Sequence, residues 1–377
     1  MVSYKLVYCV DMEKIGTIPS QGVRNLMRGG SVINGHEENI QPSSLDLTIG
    51  KKISRLPCIF LPETTEKIAD IANKIGAEPF SFEYPLEVNT PYLIKLREEL
   101  HLPPDVYAYA NPKSSSGRND LHVTMLADNM ARFDSAGTKG YKGQLWVIVE
   151  PKSYRVKLSP GETLMQLRFF YSDTRLSHSE LENVFEDEEI LYVGDKLMGH
   201  EDIKTSDRDG GLILTIDLEQ DLVGWRCEGS GKYVDFSERG LYQPNDFFTP
   251  LRRPPEEGLL LRKGDFYIFY TKEKIRVPPD FAVEVVAVDT RSGEFRSHYA
   301  GFVDPGWGYS EDNSVKGAPL VLEMRPYGDN ITIRKGQPIC KVTYERMAET
   351  PDIIYGKDLG SHYHNQSGPR LSKHFKM

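Results

Sequence analysis

A chain that carries one long pattern twice must fold as two related units. Here PYLIKLREELHLPPD, ending at Asp105, aligns without gaps on FYIFYTKEKIRVPPD, ending at Asp280, an offset of 175 residues. At the same offset VIVEPKSYRVKLSPGETLMQL (147–167) aligns on LEMRPYGDNITIRKGQPICKV (322–342), setting Pro151 on Pro326 and Gly161 on Gly336. The register slips between these blocks and recovers, as loops of unequal length require. Two copies specify a duplicated domain and not a solenoid.

Within each copy the pattern is that of strands. VYAYA (106–110), QLWVIVE (144–150), YRVKL (154–158) and TLMQLRFF (163–170) alternate or run apolar over short stretches punctuated by NP and SPG turns. The second copy offers YIFY, FAVEVVAV, PLVLEM and ITI between VPPD, DPGWG and RKG. Helices are expected only near 21–28 and 66–75 and in the acidic stretch 177–189, which reads as linker or solvated helix. The expected architecture is all-β: two tandem distorted barrels or jelly rolls with a few short helices. The first covers 1–175, an acidic linker 176–204, the second barrel 205–347, and a C-terminal lid 348–377.

Composition removes several function classes. The 46 Lys and Arg against 55 Asp and Glu leave a net charge of −9, which argues against binding a nucleic-acid polymer. A small anion held by a few local cations stays open. Cys9, Cys58, Cys227 and Cys340 are too scattered for a disulfide framework or a CxxC zinc site. No signal-peptide pattern and no run of about 20 apolar residues is present, so a cytoplasmic protein without membrane contact is expected.

Three segments carry candidate chemistry. NPKSSSGR (111–118) follows a strand and offers hydroxyls, backbone N–H groups and two cations to one anion; read alone it is more often a polar hairpin loop. HYAGFVDPGWGY (298–309) precedes APLVLEM (318–324), where Glu323 stands among Leu320, Val321, Leu322 and Met324. Either it faces outward, as alternation allows, or it is buried with a raised proton affinity useful for proton transfer. The tail YGKDLGSHYHNQSGPRLSKHFKM (355–377) is either a free end or a segment that orders over a ligand.

Together these segments resemble the dCTP deaminase family, in the superfold shared with trimeric dUTP pyrophosphatases, and in particular its doubled bacterial form. QPSSLDLTIG (41–50) is similar to that family's early strand motif, and LPPD followed by KSSSGR to its phosphate-binding loop. VDPGWG with VLE (321–323) resembles the stretch that holds sugar and base and carries the catalytic Glu; YGKDLGSHYHNQSG resembles the C-terminal lid. The resemblance implies substrate contacts by Lys113, Ser114, Ser115, Arg118, Asp304, Val321, Leu322, Tyr355, His362 and Gln366. It implies catalysis by Glu323, with Arg296 and the backbone around Ala300 orienting the water. It further implies deamination of dCTP to dUTP and ammonia ahead of dUMP and thymidylate synthesis, magnesium carried on the triphosphate, and a homo-oligomer.

The departures from the family pattern are complementary. At the 175 offset Glu323 falls on Ile148, and the nearby Glu150 falls on Arg325 and precedes Pro151. The second copy reads VDTRSGEFR (288–296) where the family has serines, and a position usually lysine-like is His362. Two sites are therefore expected as rivals. One is composite, with Ser114, Ser115 and Arg118 from the first copy and Glu323, Ala300 and Asp304 from the second. The other lies within the second copy, with Arg291, Ser292 and Arg296 on the phosphates.

Zinc is not expected. His36-Glu37-Glu38 and His178-Ser179-Glu180 match HxE, but no PCxxC follows either. Two further functions are weighed. ARFDSAGTKGYKGQL (131–145) is similar to a dUTP pyrophosphatase base pocket, with Asp134 orienting water, alone or beside deamination. The other is a non-catalytic nucleotide-binding protein.

Overall fold

The duplicated strand pair keeps its register in three dimensions. The computed structural model describes residues 15–137, 139–203, 211–286, 301–356 and 366–376, with 295–297 as backbone only. Strand Tyr92–His101 pairs with Lys142–Pro151, Leu93 opposite Ile148 and Lys95 opposite Trp146. Strand Phe266–Ile275 pairs with Ala318–Pro326, Ile268 opposite Glu323 and Tyr270 opposite Val321. Each ladder then shifts register, between Lys95 and Glu99 in one and Tyr270 and Lys274 in the other. The irregularity recurs at the same 175-residue offset as the sequence blocks, so backbone geometry as well as composition was duplicated.

The chain is mostly β, built as two barrel-like units. The first is a nine-stranded sheet in which Lys142–Pro151, Tyr92–His101, Leu45–Arg55, Thr163–Phe170 and Tyr107–Pro112 lie side by side. In the second unit the equivalent strands fall into two sheets, one around Phe266–Ile275 and Ala318–Pro326, the other around Pro338–Arg346 and Phe281–Val286. Among the described residues no helix is long and apolar enough to cross a membrane.

Four α-helices are present among the described residues: α1 Ser20–Arg28, α2 Ile68–Lys74, α3 Ser114–Gly117 and α4 His178–Asp187. The single turn α3 lies where a polar loop was expected. α4 starts in the acidic stretch with a capping box, Ser177 and Glu180 bonding each other's backbone N–H, and buries Leu181 and Val184. The expected linker also contributes to the second unit, because Leu191–Val193 pairs with Phe266–Ile275.

The two halves are more interlocked than a linear division at 176–204 describes. Strand Tyr233–Asp235 lies parallel to Arg155–Lys157 of the first half. Phe236, Phe247 and Phe248 from the second half, with Leu371 and Phe375 from the tail, enter the first half's core. Each such aromatic burial stabilises by about 1.5–3 kcal/mol. Residues 366–376 thus include core positions, where a lid alone was expected.

Candidate active site

One end of the site is built on the first half. Strand Tyr107–Pro112 delivers Lys113, whose N–H donates to Leu164 O at 2.9 Å, and α3 begins at the next residue. Ser116 points into the protein, its hydroxyl donating to Leu164 O at 3.1 Å. Ser114 and Ser115 line a cavity of about 450 Å³, within the usual range for small-molecule sites. Lys113 pairs with Asp46 and donates to Thr163 Oγ1 at 3.1 Å. Arg118 is buried and donates to Arg370 O at 3.0 Å and Gln366 Oε1 at 3.1 Å. Gln366 in turn donates to Pro319 O at 2.9 Å in the second half.

The other end belongs to the second half. Phe302, Asp304, Trp307, Val321, Leu322 and Tyr355 line the same cavity. Asp304 accepts from Ser43 Oγ at 2.6 Å and lies 3.8 Å from the Arg168 guanidinium. Burial raises its proton affinity, and Arg168 and Ser43 oppose that rise.

Glu323 is 1 % exposed and is not among the lining residues. By strand alternation it shares a face with Val321, which lines the cavity two positions earlier. The structure thus brings Lys113, Ser114, Ser115, Arg118, Asp304, Val321, Leu322, Tyr355 and Gln366 to one cavity, with Glu323 in an adjoining strand position. Arg291, Ser292, Ala300 and His362 lie outside the described residues, as does the side chain of Arg296.

Sequence reasoning did not single out Arg168, which stands beside the cavity-lining Asp304, or Arg239 and Lys373. Arg168 of the first half, with no solvent exposure, donates to Glu345 at 2.7 Å, Ser43 at 3.0 Å, and the Val283 and Val303 carbonyls at 3.3 Å. Arg239 and Lys373 also reach the cavity wall. An arginine inside the apolar run TLMQLRFF was the one available signal for Arg168, since burying a lone charge demands partners.

The first half's counterpart of the Val321–Glu323 face is filled. Leu93, Leu126 and Ile148 form an apolar cluster with Ile68 and Ala72 of α2, and Phe60 and Trp146 pack on it. At the 175 offset Ile148 and Trp146 stand for Glu323 and Val321, so the helix covers the face that borders the cavity in the other copy. The counterpart of Asp304 has lost its acid too. Val303 opposes Val283 as Ala136 opposes Ala108, which makes Gly137 the counterpart of Asp304. Asp134, proposed from sequence as a water-orienting group, instead precedes its strand. It accepts the Met125 N–H at 2.7 Å and lines a different cavity, with Tyr107, Tyr109 and Glu284. Glu150 is held by Lys152 at 2.7 Å. One nucleotide per chain is therefore expected in a binding titration; saturation at two per chain would show that the first copy keeps a working pocket.

Comparison with known proteins identifies the family. Residues 14–173 match the family described as "2'-deoxycytidine 5'-triphosphate deaminase (DCD) N-terminal domain", and residues 186–375 match the corresponding C-terminal domain. The "dCTP deaminase, dUMP-forming" of Dictyoglomus turgidum is 32% identical over 162 residues, 41% of this chain and 75% of that protein. The "dCTP deaminase" of Halorubrum lacusprofundi is 29% identical over 134 residues, 34% of this chain and 60% of its own length. The crystal structure of 2'-deoxycytidine 5'-triphosphate deaminase from Agrobacterium tumefaciens superposes with a TM-score of 0.80 at 31% identity, covering 90% of this chain and all of that one.

Proposed function

The chain belongs to the dCTP deaminase family, and from that premise we propose that it hydrolyses the 4-amino group of dCTP, giving dUTP and ammonia, at a site shared between its two halves. The observation that carries this reading is the single cavity lined by Lys113, Ser114, Ser115 and Arg118 at one end and by Asp304, Val321 and Tyr355 at the other.

In this reading the first-half hydroxyls and cations hold the triphosphate, Asp304 accepts from the sugar hydroxyl, and the strand at Val321 and Leu322 borders the base. Glu323 takes a proton from water as its oxygen adds to C4. The C4–N bond then breaks, and the proton leaves with ammonia. Arg296 and the backbone at Ala300 orient the water. Magnesium, when bound on the triphosphate oxygens, offsets part of their charge. No zinc is required, because the carboxylate itself activates the water. The dUTP formed is the precursor of dUMP.

Incubation with dCTP, followed by ammonia measurement and nucleotide chromatography, tests the proposal. Ammonia with stoichiometric dUTP supports it; no ammonia refutes it. A second reading, conversion onward to dUMP and pyrophosphate, is favoured by the dUMP-forming description of the Dictyoglomus relative, and dUMP in the same chromatogram would establish it.

The composite arrangement makes a separate prediction. Arg118→Met and Ser115→Ala are each expected to raise KM for dCTP about tenfold or more, since hydrogen bonds to a charged group contribute about 1.5–3 kcal/mol. Unchanged KM and kcat in both variants would place the phosphates on the second copy instead.

A further inference from the structure

We propose that Arg239 and Lys373 form a second set of phosphate ligands that makes the cavity select a triphosphate over shorter phosphate chains. This rests on the reading of the cavity as a dCTP site and extends it to two residues outside the KSSSGR loop.

Both side chains line the cavity that holds Lys113, Ser114, Ser115 and Arg118. They arrive on separate segments that the fold ties to that loop. Strand Tyr233–Asp235 runs parallel to Arg155–Lys157 of the first half and is followed by a turn at 236–237, two residues before Arg239. The Gly240 N–H donates to Lys373 O at 3.0 Å, and the Leu241 N–H donates to His374 O at 3.0 Å. These bonds set the two cations side by side.

The flanks of Lys373 are fixed from the other direction. Ser372 and His374 are both buried, and the Asn119 amide contacts Ser372 Oγ at 2.8 Å and His374 Nδ1 at 2.9 Å. Asn119 follows Arg118 directly and also donates to Ser115 O at 2.6 Å. One amide thus couples the serine turn to the tail, and neither cation can move far from the loop.

The electrostatics point the same way. In a chain of net charge −9, four cations line one cavity with Glu38 and Asp46, the latter paired to Lys113. Burial lowers the proton affinity of Lys373 to about 8, and repulsion from Lys113 and Arg239 adds to the effect while Asp46 and Glu162 oppose it. A bound polyphosphate relieves that repulsion, and more fully as its charge grows. A monophosphate satisfies the loop and leaves Arg239 and Lys373 unengaged.

The test uses the full chain with Lys373→Met, Lys373→Arg and Arg239→Gln. Arg239 is exposed, so its replacement leaves the core intact and covers the case in which Lys373→Met does not fold. Ammonia release is measured on dCTP, dCDP and dCMP, and thermal shifts with inorganic tripolyphosphate and with orthophosphate. The expected result is a 10- to 100-fold rise in KM for dCTP in Lys373→Met and Arg239→Gln. In both, the preference for dCTP over dCMP and the tripolyphosphate shift are lost, and Lys373→Arg retains much of each. A dCTP KM within twofold of wild type and an unchanged tripolyphosphate shift in both variants would overturn the inference. If the wild-type chain released no ammonia from dCTP, the deaminase reading would fail on its own, and the tripolyphosphate shifts would still judge the two cations.

Discussion

Glu323→Gln is expected to bind dCTP with nearly unchanged affinity and to release ammonia about 10²–10⁴-fold more slowly, the range that a positioned general acid–base contributes. The side chain is 1 % exposed, in a strand whose preceding residues Leu320, Val321 and Leu322 line the cavity. Gln keeps the shape and the capacity to accept a hydrogen bond but cannot take a proton from water. The variant therefore separates binding from chemistry. Ammonia release close to wild type would remove Glu323 from the reaction. Ile148→Glu supplies the reciprocal case: it restores the acid in the other copy, yet Ile68 and Ala72 of α2 cover that face. No second activity is expected from it, and the buried carboxylate should cost stability.

Arg168→Met is expected to destabilise the protein by about 3–5 kcal/mol, because removing one partner of a buried pair leaves the other uncompensated. The guanidinium is fully buried between the halves, 4.1 Å over the Phe302 ring, and bonded to Glu345 and to the Val283 and Val303 carbonyls. Without it Glu345 lies beside Glu284, which burial and Glu345 already push up to about 7 and which Arg168 helps hold down. The denaturation midpoint measures the loss, and a change below about 1 kcal/mol would show that the pair contributes little. Arg168→Met with Glu345→Leu is expected to recover most of the stability, since replacing a whole buried ion pair by apolar groups is often neutral. It should not recover affinity for dCTP, because Ser43 and Asp304 also lose the guanidinium.

How much of this was legible in the sequence depended on distance along the chain. The duplication was readable because the blocks that form the paired strands are local patterns that repeat at one offset. The KSSSGR loop and the pairing of Glu323 with Ile148 were equally readable, being contiguous or in register. Arg168 read as one polar interruption in a strand; its acid partner is 177 residues away. The helix expected at 66–75 was found as α2, but nothing local revealed that it would fill the first copy's pocket. Asp134 was read from its motif as a water-orienting group, and only the strand pairing showed that the counterpart of Asp304 is Gly137.

The internal repeat by itself determined two β units of one pattern, one of which has kept the acid and the other the serine loop. Only the tertiary structure decided that the serine loop shares a cavity with Asp304 and Val321 while Glu323 is buried in the adjoining strand, that Arg168 crosses between the units, and that Arg239 and Lys373 reach that cavity's wall. The physical reason is that a strand pattern is written in neighbouring residues. A cavity wall is assembled by packing and hydrogen bonds between segments far apart in the chain, and their meeting is set by the whole core.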